Sequence, residues 1–171
     1  DMDNIRVVKR QYLSKGLVFR PTPYHQIGYA PELARHFAPY ALFGINADVR
    51  TPASVTLERY RVISLPLCQM ADPAFVDSLK EWVHDGGTLI LGWRAGTRDR
   101  INHSVKMELP GLFSELAGVR IREFEALGET KVGIRLGIIP AKGEIWADIL
   151  EPGSAEVVAR YTDGSKYYRG K

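Results

Sequence analysis

Cysteine is almost absent from this chain, with Cys68 standing alone among 171 residues. One thiol excludes an internal disulfide and any cysteine-rich zinc site, and it fits a reducing cytoplasm. Long apolar runs are also missing: no stretch approaches the roughly 18 residues that read as a membrane span, and the N-terminus lacks a charged-then-apolar signal pattern. No membrane partner is expected. Charge of one sign is not in excess either, since 23 basic residues face 20 acidic ones and the basic residues are scattered, which argues against a nucleic-acid partner. The four histidines, His25, His36, His84 and His103, are isolated, with no H-x-x-x-H or H-E-x-x-H pair, so neither a metal nor a cofactor is expected. There is no repeat period and no low-complexity segment.

What is present is enough apolar sequence, 45% of residues, to bury a core in one domain with an appendage. The chain is organised around Arg59 to Gly96. It holds an apolar run (Val62, Ile63, Leu65), a loop from Pro66 to Asp72, an amphipathic helix and a second apolar run from Thr88 to Leu91. Asp72 can cap that helix, Pro73 suits its first position, and Phe75, Val76, Leu79, Trp82 and Val83 form one stripe. Gly86 ends it where a left-handed residue is needed, and Gly87 opens the next strand. Two short Val/Ile/Leu-rich runs joined through a helix imply parallel neighbours, hence an open α/β sheet.

Around this unit the pattern predicts a strand at Asn4 to Val8 and an extended, proline-restricted loop over Leu17 to Gln26. A helix is expected from Tyr29 to Phe43, with Pro39 forcing either a kink or two short helices meeting near Ala38, followed by a strand at Ile45 to Val49. Gly92 to Val105 reads as loop, Leu109 to Ala117 as a short helix stopped by Gly118, and Val119 to Phe124 as a strand. Further strands are expected at Lys131 to Ile138, Glu144 to Leu150, Ala155 to Tyr161 and Lys166 to Tyr168, separated by the turns PAKG, EPGS and TDGS. These form an antiparallel extension of the sheet.

Ligands collect at the carboxyl ends of strands in such a sheet, which points to Pro66–Asp72 and Gly92–Asp99. Gly92-Trp93-Arg94-Ala95-Gly96 has the outline of a nucleophile elbow and resembles the one that presents a cysteine in the class I glutamine amidotransferase fold. Here its centre is Arg94. A guanidinium cannot attack an acyl carbon, and loss of a triad nucleophile removes a factor of about 10⁶ in turnover, so no catalytic residue is assigned. Cys68 follows a different strand with no histidine near it in sequence, and its ordinary reading is a buried, inert hydrophobe. Glu123 and Glu125 share a face of an extended chain but read as solvated charge. Arg94, Arg98, Asp99 and Arg100 form the densest polar loop on the functional edge, either an interface or a hydrated loop. Trp82 and Trp146 read as core, whereas Trp93 is an interface-anchor candidate.

Several motifs in order carry a wider resemblance: Y-x-x-V-x-x-P at Tyr60 to Pro66, V-x-x-G-G-T-L at Val83 to Leu89, R-x-G-x-x-D at Arg94 to Asp99, and L-P-G followed by L-x-G-V over Leu109 to Val119. With these, the chain from Tyr29 to Lys171 resembles the trimerisation domain of the family 42 glycoside hydrolases, the bacterial β-galactosidases. The resemblance implies an amidotransferase-like domain without a catalytic cysteine: an open, mostly parallel, flavodoxin-like sheet with helices on both faces and a C-terminal antiparallel β extension. Within a single domain over 1–171, it implies a lead-in at 1–28, an α/β core at 29–127 and a β-rich extension at 128–171, the last reading as truncated. It implies self-association into a homotrimer and a β/α-barrel partner domain that holds the catalytic glutamates and hydrolyses terminal β-galactosides. No residue here inherits those roles. Two rivals belong to other classes: a small amidotransferase- or protease-like enzyme using Cys68, and a saccharide-binding module using Trp93 and tyrosines.

Overall fold

The computed structural model describes residues 28–127 and 130–162. The segments expected at Asn4–Val8, Leu17–Gln26 and Lys166–Tyr168 lie outside the described residues. The chain divides into two compact units, Asp1–Lys106 and Met107–Lys171.

The first unit opens with α1, Tyr29–Leu42, which runs unbroken through Pro39. Of the two expected outcomes at Pro39, a kink or two helices meeting near Ala38, the second does not occur: the Pro39 carbonyl still accepts from the amide of Phe43 at 3.1 Å and the helix continues. The segment Ile45 to Val49, expected as a strand, is not one. A strand exists only by pairing, and among the described residues this segment has no ladder partner. The central unit is as predicted. β1 (Val62–Leu65), α2 (Pro73–His84) and β2 (Thr88–Leu91) follow in order, with β1 and β2 parallel from Val62↔Thr88 to Leu65↔Leu91. The Asp72 carboxylate accepts from the amide of Ala74 at 3.0 Å, and Pro73 sits in the first turn. Val76, Leu79 and Trp82 are the buried residues of α2.

Trp82 fastens the helix to the strands. Its indole N–H donates to the carbonyl of Tyr60 at 3.2 Å, and its ring lies against Gly87, where an added Cβ would fall 2.3 Å from the nearest ring atom. Glycine at 87 is therefore a packing requirement of the tryptophan, separate from the left-handed turn at Gly86 (φ 100°).

The second unit starts with a 3₁₀ turn, Gly111–Phe113, and the single-turn α3, Ser114–Ala117, stopped by Gly118 in the left-handed region. β3 (Val119–Ala126) pairs antiparallel with β6 (Trp146–Pro152), with a bulge between Ile121 and Glu123. β4 (Val132–Leu136) lies between β5 (Ile139–Gly143) and β7 (Ala159–Tyr161), antiparallel to both. Leu127, Val132 and Ala147 form the core of this part, with Tyr161 packed on it. Two expectations fail here. PAKG is not a turn: Pro140–Gly143 lies within β5, the reversal being at Gly137–Ile138, and Pro140 is accommodated because β5 is an edge strand. Trp146 is only half-buried, its ring stacked on the exposed Phe124 at 5.0 Å.

The architecture is mixed α/β. Among the described residues the expected parallel pairing is found in one ladder, β1–β2, and the ladders β3–β6, β4–β5 and β4–β7 are antiparallel. Of the antiparallel ladders, β4–β5 joins consecutive strands through the tight turn at Gly137–Ile138, which can link only antiparallel neighbours.

Replacing Gly87 with alanine should destabilise the chain by about 1–3 kcal/mol, since the buried Trp82 ring must move to admit the methyl group. The shift of the urea midpoint against wild type measures it.

Candidate functional site

The carboxyl ends of β1 and β2 continue into two loops that are laced together through the backbone. The amide of Gly92 donates to Leu65 at 3.1 Å, that of Gly96 to Cys68 at 2.9 Å and that of Arg98 to Gln69 at 2.9 Å, and a parallel bridge joins Met70 to Arg98. Gly92 lies so close to the first loop that a Cβ would stand 3.1 Å from the Leu65 oxygen and 3.2 Å from the Leu67 nitrogen. Leu67, 2% exposed and with φ 48°, is the apolar anchor of that loop.

Arg94 holds φ 59°, a conformation that L residues reach only under constraint, and the Thr97 hydroxyl donates to its carbonyl at 3.1 Å. A positive φ at the centre of G-x-x-x-G is the sharp turn expected of a nucleophile elbow. The turn lacks two parts of that device. No helix follows it, because the chain passes directly into the bridge at Arg98, and the presented side chain is a permanent cation.

The five loop residues singled out from the sequence are placed on one loop and turn to different partners. Trp93 is half-buried and its indole N–H donates to the Glu32 carboxylate at 3.1 Å. Arg98 donates to the Ser104 hydroxyl at 3.0 Å. The Asp99 carboxylate accepts from the amides of Ile101 (3.0 Å) and His103 (2.8 Å), which closes the following turn. Arg100 is exposed and lies 3.6 Å from the Asp72 carboxylate at the start of α2.

Sequence reasoning missed Glu32. It is 5% exposed, ion-paired with Arg35 as well as bonded to Trp93, and it ties α1 to the elbow. The available signal was its spacing of four from His36, which places both on one side of α1. The His36 ring meets the Ser64 hydroxyl, Nδ1 to Oγ 2.5 Å, so α1 touches β1 through a second polar contact. Burial pushes the His36 imidazole below its ordinary pKa, partly opposed by the Glu32 charge.

Cys68 is poorly suited to nucleophilic chemistry. Its thiol donates to the Met70 carbonyl at 3.7 Å, and burial pushes it up to a pKa of about 11. At neutral pH only about one molecule in 10⁴ then carries the thiolate. Among the described residues no group of histidine, cysteine and carboxylate side chains could hold a metal ion, and no helix is long and apolar enough to cross a membrane.

Comparison with known proteins matches this arrangement to one family. The family model described as the β-galactosidase trimerisation domain matches residues 15–171. The β-galactosidase BgaA of Clostridium cellulovorans is 32% identical over 125 residues, which is 70% of this chain and 18% of that protein. The crystal structure of the β-galactosidase from Bacillus circulans sp. alkalophilus superposes with a TM-score of 0.78 at 23% identity, over 86% of this chain and 22% of that one. The Halorubrum lacusprofundi β-galactosidase gives 0.62 at 28% identity, over 67% of this chain and 17% of that one. The chain thus spans about a fifth of the length of these relatives.

Two outcomes follow from the site. Alkylation of Cys68 by iodoacetamide at pH 7.5 should be about 100-fold slower in the folded chain than in urea, as the displaced thiol pKa requires. For His36 the folded pKa lies below the unfolded one, so the stability it contributes is complete above about pH 6.5 and is lost as pH falls through the folded value. Urea unfolding between pH 7.5 and 5 should show this loss, and His36→Gln should flatten it.

With its motifs, its parallel β1–α2–β2 unit and its match over residues 15–171, the chain belongs to the β-galactosidase trimerisation-domain family of the family 42 glycoside hydrolases.

Proposed function

We propose that this chain is the assembly domain of a longer β-galactosidase, joining three copies into a homotrimer and doing no bond-breaking itself. The observation that carries the reading is the family match over residues 15–171. The site supports it chemically: the elbow keeps its positive φ but presents Arg94, and Cys68 is a high-pKa thiol bonded to a backbone carbonyl. The parent's hydrolysis of terminal β-galactosides then belongs to a separate β/α-barrel domain in the remaining four-fifths of the protein. The single cysteine is in keeping with a cytoplasmic parent.

The layout proposed is one functional domain over 1–171, an α/β core at 29–127 and a β-rich extension at 128–171. Its core is proposed to be an open flavodoxin-like sheet with helices on both faces. Two features support that: the parallel β1–β2 pair, and the polar contacts of α1 with Ser64 of β1 through His36 and of α2 with Tyr60, just before β1, through Trp82. The loop of Trp93, Arg94, Arg98, Asp99 and Arg100 is the proposed contact loop. Its backbone is held by Asp99 and by the lacing to Cys68 and Gln69, which gives a contact surface a firm base.

Light scattering over a concentration series should give three times the 19.2 kDa monomer mass at high concentration, falling toward the monomer on dilution. A monomer at every concentration would overturn the proposal that these residues suffice for assembly.

A further inference from the structure

Two surfaces of this chain carry charge where, in isolation, charge is unfavourable. On β4 the residue Arg135 is in direct register with Arg160 on β7, so two guanidinium groups face each other across one ladder on the same side of the sheet. Lys142 shares that side, because it pairs with Gly133, two residues from Arg135. All three are exposed, none has an ion pair among the described residues, and the core of Val132 and Tyr161 lies on the opposite side. Like charges directly opposed across a ladder destabilise it.

The second surface has the opposite sign. On α2, Asp77, Glu81 and Asp85 follow at intervals of four, all exposed, on the side away from the buried Val76, Leu79 and Trp82. Glu81 stands in the last turn and Asp85 at the C-cap, where the helix dipole is itself negative and repels carboxylates. Asp77 has Lys80 at 3.6 Å and Asp85 has His84 at 3.5 Å, but Glu81 has no cation partner among the described residues.

A ring of three identical subunits needs a heterologous contact, in which one patch of each copy meets a different patch of the next. The charge pattern supplies such a pair. We propose that the basic face of Arg135, Lys142 and Arg160 on one copy docks against the acidic stripe of Asp77, Glu81 and Asp85 on the next. The contact resolves both unfavourable placements at once, and α2 adjoins the proposed contact loop through the Arg100–Asp72 ion pair. The inference rests on the trimer reading and names its surfaces.

The test uses the full chain, its mass and dissociation constant taken from light scattering. Arg135→Glu with Arg160→Glu should weaken wild-type trimerisation by about 100-fold or more, as like-charge juxtaposition at an interface does. Asp77→Lys with Glu81→Lys should do the same. All four changes in one chain should restore association to within about tenfold of wild type, and about 0.5 M salt should weaken the wild-type trimer. The milder Arg135→Gln with Arg160→Gln should hold or raise the thermal midpoint at concentrations where both chains are monomeric, while loosening the trimer at high concentration, opposite movements that a misfolded variant would not give. A wild-type trimer indifferent to the basic-face reversal would overturn the inference and leave the trimer reading intact. Failure of the fourfold variant to recover would overturn the α2 stripe as the partner. If the glutamine variant lost binding to a DNA duplex but kept the trimer, the face would belong to a polyanion and the inference would fall. A wild-type monomer throughout would remove the trimer reading itself, and this inference with it.

Discussion

Parallel pairing of β1 with β2 is the constraint from which the first unit follows. Two parallel neighbours cannot be joined by a tight turn, so the chain must cross over through a helix and return to the same end of the sheet. α2 makes that crossing, and Trp82 sets its height by reaching Tyr60 at one side and filling the space that Gly87 leaves at the other. Because both strands then run in one direction, both of their exits emerge together. The lacing of Gly92, Gly96 and Arg98 to Leu65, Cys68 and Gln69 continues the pairing beyond the strands proper. It is this continued pairing that holds Arg94 in its left-handed conformation.

The parts of the fold legible in the sequence are those specified by local chemistry. The cap at Asp72, the proline after it, the stripe on α2 and the left-handed stop at Gly86 all sit within a few residues of what they determine, and each is found where expected. What depends on distant partners was less legible. Ile45–Val49 has strand-forming residues only at its ends, around Asn, Ala and Asp, which are poor strand formers, and among the described residues it has no ladder partner. PAKG carries the two residues that usually punctuate a chain, yet Pro140 lies in an edge strand because an edge has room for a missing N–H. The same holds for the site: a glycine-flanked loop is visible in one line of sequence, but the bond from Trp93 to Glu32 spans 61 positions and depends on how α1 packs.

The backbone angle of the elbow is set by its surroundings and not by the side chain at its centre. A positive φ at a non-glycine residue costs free energy, and Arg94 carries it with a side chain that cannot serve as an acyl nucleophile. The constraint is nonetheless maintained by close packing of Gly92 on the first loop and by the Thr97 hydroxyl, both indifferent to the identity of the side chain presented.

Pro140 and Lys142 have a consequence for the kind of assembly this chain can build. β5 is the outer strand of its sheet, and an outer strand normally offers unpaired amides and carbonyls on which another chain can add a strand. A proline removes one of those donors, and a lysine beside it makes a dry strand-to-strand zipper costly. Growth by strand addition has no natural end, since every added copy presents a fresh edge. Pro140 and Lys142 blunt this one edge, so strand addition on that sheet is steered away from β5, and β7 is its other outer strand.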